Sequence, residues 1–171
     1  MSGNVVKNIG TMLKERAVVS PQLEAYVEPS ANVRMDYTQT NVLANKCASV
    51  LTSLGVGKGD RVALLMPNSV EFCCLFYGAA KIGAVAVPLN TRLTAPELEY
   101  ILSDSATKVL IYGEAFAAVA ETIKAGKNEE SSRPNSFVGH RTIPCQDQGL
   151  DPLPQAGAPG VLPPFRVSGR P

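Results

Sequence analysis

Apolar residues recur along the first 126 positions with two alternating periods. Positions 61–66 read R-V-A-L-L-M, apolar after the first residue and bounded by Gly59-Asp60 and Pro67-Asn68. A short run of branched apolar residues between turn formers marks a strand buried on both faces. Val70, Phe72, Cys73, Phe76, Tyr77 and Ala80 then fall at helical spacing. Asn68 and Glu71 are placed to form a capping box at the start of that helix, and Gly83 to end it in the left-handed conformation. Positions 84–87 make a second buried strand, closed by Pro88. A strand, a helix and a strand in about thirty residues make a βαβ unit, whose crossover is right-handed in nearly all known cases.

The flanks follow the same logic. Val5, Val6, Ile9, Met12, Leu13 and Ala17 share helical spacing, and Pro21 lies beyond them, which predicts an amino-terminal helix packed on the surface. Positions 24–28 and 33–37 are strand-like runs joined by Pro29-Ser30-Ala31-Asn32, a β-hairpin by pattern. Asp36 and Gln39 form a capping box for a helix lined by Leu43, Cys47, Val50, Leu51 and Leu54. Gly55 ends that helix, with Val56 as its apolar contact. After the βαβ unit, Thr94 and Glu97 form a further capping box before Leu98, Ile101 and Leu102. Positions 108–112 are a third parallel strand. Positions 114–124 are a covering helix with Phe116, Val119, Ala120 and Ile123 inward and Gly126 as its cap. The expected class is α/β: a three-stranded parallel βαβ core with flanking helices, preceded by a helix and a β-hairpin.

At residue 127 the composition changes. Residues 127–171 hold eight of the thirteen prolines and show neither period. Such a stretch buries too little apolar surface to offset the entropy of ordering, so disorder is expected. The division is therefore 1–126 for the folded subdomain and 127–171 for the tail. A shifted reading frame and a natural Pro-rich tail both account for this stretch, and composition favours the first.

The segment G-V-G-K-G-D-R-V-A-L-L-M-P-N-S-V-E-F, continued by F-Y-G-A-A-K-I-G-A-V-A-V-P-L-N-T-R-L-T-A-P-E-L-E-Y-I-L-S-D-S, resembles the amino-terminal part of the AMP-forming acyl-CoA synthetases, the adenylate-forming ligases. The resemblance runs from about Ile9 to about Lys124. It implies a parent reaction in which ATP and magnesium activate a carboxylic acid, a fatty acid by the branch most resembled. An acyl-adenylate forms, and coenzyme A then displaces AMP. The family's phosphate cradle is a Ser/Thr/Gly-rich loop ending in Pro-Lys-Gly. Ser131-Ser132-Arg133-Pro134 is the nearest match here, and it lacks the glycines and the lysine. The resemblance therefore assigns no catalytic, cofactor-binding or metal-binding residue to this chain. It implies a scaffold part, inactive alone. The alternative is a non-catalytic module that pairs with a full-length ligase or with itself. The strand left at the sheet edge would make the isolated chain marginally stable or prone to aggregate.

Composition narrows the remaining functions. A net charge of +1 on 171 residues offers no electrostatic footprint for nucleic acid. The eighteen residues 72–89 carry a single charge, Lys81, yet Gly78, Gly83 and Pro88 break them into a helix and a strand rather than a membrane span. No secretory leader is read at the start, and Cys47, Cys73 and Cys74 read as core residues of a reduced, cytoplasmic protein. Gly55-Val56-Gly57-Lys58-Gly59 is no phosphate loop, since Lys58 is followed by Gly59 and the loop leads from a helix into a strand. His140 and Cys145 lack the further ligands a metal needs. Lys81 near a helix end is expected to reach water and complement the dipole. Asn90, Thr91 and Arg92 sit at the carboxyl end of a parallel strand, where open α/β sheets bind ligands, and form the candidate contact loop.

Overall fold

The computed structural model describes residues 8–126, 134 and 136–139. Helix α1 (Ile9–Val19) leads into an antiparallel hairpin of β1 (Glu24–Glu28) and β2 (Val33–Asp36). Helix α2 (Tyr37–Ser53) follows, then β3 (Arg61–Leu65), α3 (Val70–Lys81), β4 (Val85–Pro88), α4 (Ala95–Asp104), β5 (Val109–Tyr112), α5 (Ala117–Ala125) and β6 (Ser136–Gly139). The last four strands form one parallel sheet in the order β4-β3-β5-β6.

Side-chain alternation along the strands divides the core in two. Val62 and Leu64 of β3, with Val109 and Ile111 of β5, face α2, α3 and the hairpin through Leu43, Cys47, Leu51, Cys74, Leu75 and Met35. Ala63, Leu65 and Leu110 face the other way, against Leu98 and Leu102 of α4 and Ile123 of α5. Residues 62–65 of β3 and 109–111 of β5 are fully buried, which is why they read as unbroken apolar runs.

Two of the predicted capping boxes form. The Asp36 carboxylate accepts from the Gln39 amide at 2.7 Å while the Gln39 side chain accepts from the Asp36 amide at 3.0 Å. Glu97 accepts from the Thr94 amide at 2.8 Å and from its hydroxyl at 2.7 Å. Gly55 and Gly83 take positive φ as predicted, 77° and 75°. After each, the next amide reaches back five residues: Val56 to the Leu51 carbonyl and Ala84 to the Ala79 carbonyl. That is the closure of a Schellman motif.

Four details depart from the sequence reading. The Asn68/Glu71 box is not the start of α3; Ser69 is the N-cap and accepts from the Phe72 amide. Residues 114–116 form a separate 3₁₀ turn, and α5 starts at Ala117. Met12 is 57% exposed, and α1 instead seats Gly10 and Leu13 on its neighbours. A Cβ on Gly10 would lie 2.7 Å from the Lys81 Cα, so only glycine permits this approach. The sheet also gains a fourth strand, Ser136–Gly139, from within the stretch read as tail. Its four residues are too few to show a period. Val5, Val6, His140, Cys145 and most of 127–171 lie outside the described residues.

Strand β4 is an edge among the described residues. The Val85 and Leu89 amides bond inward to the Asp60 and Leu64 carbonyls, so Ala86 and Pro88 point their backbone groups outward. Proline has no N–H, which leaves Ala86 as the outward donor within the strand. An edge blunted by proline is a poor template for strand addition.

Candidate functional site

The chain leaves β3 to form β4 on one side, then returns across β3 to form β5 on the other. The strand order thus reverses between β3 and β5, and a crevice is expected outside the carboxyl ends of these strands. The strand ends that flank this point stay joined as a continuation of the β3–β5 ladder. The Gly113 amide donates to the Leu65 carbonyl at 2.9 Å, and a Cβ on Gly113 would lie 3.4 Å from the Met66 Cβ. The loops after β3 and β5 are therefore in contact. The start of α3 opens here as well, and helix N-termini attract anions. Its Val70 amide already donates to the Glu28 carboxylate, brought from the end of β1, at 2.9 Å. Pattern reading missed this role of Glu28, because a partner 42 residues away leaves no local signal.

The loop after β4 is rigid at its base and open at its tip. The Leu89 amide bonds to Leu64, the Asn90 side chain accepts from the Arg92 amide at 3.0 Å, and the Leu93 amide reaches the Asn90 carbonyl. The Thr94–Glu97 box then starts α4. Asn90, Thr91 and Arg92 are all exposed at the carboxyl end of the sheet, and Asn90 also holds the turn through its side-chain oxygen.

The glycine loop lies at the opposite end of β3. The Asp60 carboxylate accepts from the Gly57 amide at 2.8 Å and from Lys108 Nζ at 2.7 Å, and that ammonium also donates to the Gly55 carbonyl at 2.6 Å. The Lys108 hydrogen bond, followed by that from Gly57, holds the Asp60 carboxyl below its ordinary pKa. The Gly59 amide bonds to the Gly83 carbonyl. Next to it, the Arg61 guanidinium donates to the Ser105 and Ala106 carbonyls, both at 2.7 Å, and to the Gly59 carbonyl at 2.9 Å. Arg61 therefore caps the carboxyl end of α4. The whole G-V-G-K-G-D-R segment is a structural clasp.

Lys81 does not reach freely into water. Its Nζ donates to the Asn41 side chain of α2 at 2.6 Å. Burial, and then the nearby Lys14 charge, lower its pKa. Cys47, Cys73 and Cys74 form no disulfide, and burial pushes the Cys73 thiol up. Among the described residues no group of three or more His, Cys, Asp or Glu side chains is arranged to hold a metal ion. Nor is any described helix long and apolar enough to cross a membrane.

Parallel strands in this order, with helices on both faces, define a doubly wound α/β unit. The family model described as AMP-binding enzyme matches residues 13–154, and the chain belongs to that family. It is 71% identical over 120 residues to the long-chain-fatty-acid–CoA ligase FadD13 of Mycobacterium tuberculosis, covering 70% of this chain and 24% of the relative. It is 36% identical over 116 residues to the putative acyl-CoA synthetase YngI of Bacillus subtilis, covering 68% and 21%. Among solved structures, the N-terminal domain of FACL13 from Mycobacterium tuberculosis superposes with a TM-score of 0.75 at 57% identity, over 85% of this chain and 38% of that one. The chain thus spans about a quarter of the length of its curated relatives and corresponds to an N-terminal part.

Proposed function

We propose that this chain is the scaffold portion of an AMP-forming fatty acyl-CoA ligase and does not activate an acid by itself. The parent reaction is ATP-dependent conversion of a fatty acid to acyl-AMP, followed by transfer to coenzyme A. The observation that carries the reading is how the polar loops are used. The glycine loop spends its donors and acceptors on Lys108, Arg61 and Gly83, and a Val70 amide at the start of α3 is taken by Glu28. These groups hold the sheet together; they do not cradle phosphates. ATP, Mg²⁺ and coenzyme A are accordingly ligands of the parent enzyme, not of this chain. Thr91 and Arg92 are the residues we assign to contact with the parent's other parts. They combine exposure with a backbone fixed by Asn90. The compartment we propose is the cytoplasm, where the thiols of buried Cys47 and Cys74 stay reduced.

The test is an assay of long-chain acid-dependent AMP release by the purified 171-residue chain, with equilibrium dialysis against ATP-Mg²⁺ in parallel. The expected result is neither turnover nor binding. Release of AMP with any fatty acid would overturn the proposal. A stable complex with an added full-length ligase would favour the pairing module instead. Sequencing of the coding DNA past codon 126 tests the tail separately. A second frame that resumes with a Ser/Thr/Gly-rich loop ending in Pro-Lys-Gly would make residues after the shift a frameshift product.

A further inference from the structure

We draw no further inference here: the strongest candidate, the exposed apolar stripe of Ile9, Met12, Val19 and Leu23 along α1 and the turn after it, carries nothing because no feature of the structure shows what covers it.

Discussion

Gly78→Ala is predicted to destabilise the chain, against the usual effect of this change in a helix. Gly78 lies on the buried face of α3 where that helix crosses α2 at Ala44, Cys47 and Ala48. A Cβ added there would sit 2.8 Å from the Cys47 Cβ and 3.0 Å from both the Ala44 carbonyl oxygen and the Ala48 amide nitrogen. Carbon atoms pack at about 3.5–4.0 Å, so the new methyl is short of room by about 1 Å. None of the three obstacles is the end of a flexible side chain, so the helices themselves must move. Overpacking of this kind costs about 1–3 kcal/mol, and the rigid obstacles place it at the upper end. Alanine in a helix regains about 1 kcal/mol over glycine. The expected net loss is about 2 kcal/mol, near a thirty-fold change in the folding equilibrium.

Urea unfolding of the full chain, followed by far-ultraviolet circular dichroism, reads this loss as a lower midpoint at unchanged slope. Gly57→Ala is the control. Its Cβ would meet nothing closer than the Asp60 carboxylate at 3.8 Å, so that variant should stay within about 1 kcal/mol of the parent. Cys47→Gly removes the nearest obstacle and is itself destabilising, but in its background Gly78→Ala should cost less, a coupling that a double-mutant cycle isolates. A Gly78→Ala protein as stable as the parent would refute the close crossing of α2 and α3.

Four further substitutions probe the clasp and the half-buried Lys81. Asp60 has a depressed folded pKa, so its contribution is present above the ordinary carboxylate value of about 4 and is lost as pH falls through the lower folded value. Asp60→Asn should therefore flatten the acid limb of a stability–pH profile, and an unchanged limb would show that the Lys108 pair is inert. Arg61→Met removes the guanidinium that caps α4 and should cost about 2 kcal/mol in the same urea assay, as for hydrogen bonds made by a charged group. Arg61→Lys should recover only part, since an ammonium cannot span both carbonyls in the same fork; full recovery would count against the cap geometry. Lys81 is depressed by burial, so the unfolded chain binds the extra proton between the folded pKa and about 10.4, and the Lys81 contribution to stability rises with pH across that window, against the opposite slope from Cys73, Tyr26 and Tyr77, which burial raises. Lys81→Met should therefore make the alkaline slope of stability against pH more negative than in the parent, and an unchanged slope would show that Lys81 does not titrate differently on folding.

Much of the fold was legible because its determinants are local. The buried strands announce themselves as apolar runs, and the capping boxes at Asp36–Gln39 and Thr94–Glu97 each lie within four residues. Gly55 and Gly83 are conformational requirements of single positions. The start of α3 was misread by one residue for the opposite reason. Asn68 and Ser69 are both credible N-cap residues by type, and the start at Ser69 is accompanied by the carboxylate of Glu28, supplied across the fold to the Val70 amide. The four-residue β6 exists through pairing with β5 rather than through any period of its own.

The orientation of α1 makes the same point from the packing side. Its apolar residues occupy more than one face, so a hydrophobic pattern cannot rank Met12 against Leu13. The face that packs is decided by Gly10, a residue with no side chain to score, because contact with the Lys81 backbone is open only to it. Gly78 decides the α2–α3 crossing in the same way. The α1–α3 and α2–α3 contacts are therefore set by where side chains are missing, while apolar periodicity sets which faces of the other helices are buried. The candidate loop obeys the same division. That Asn90, Thr91 and Arg92 stand at the carboxyl end of a parallel strand follows from local pattern and topology. That the Asn90 side-chain oxygen holds the turn by accepting from the Arg92 amide depends on a turn geometry that the pattern does not encode.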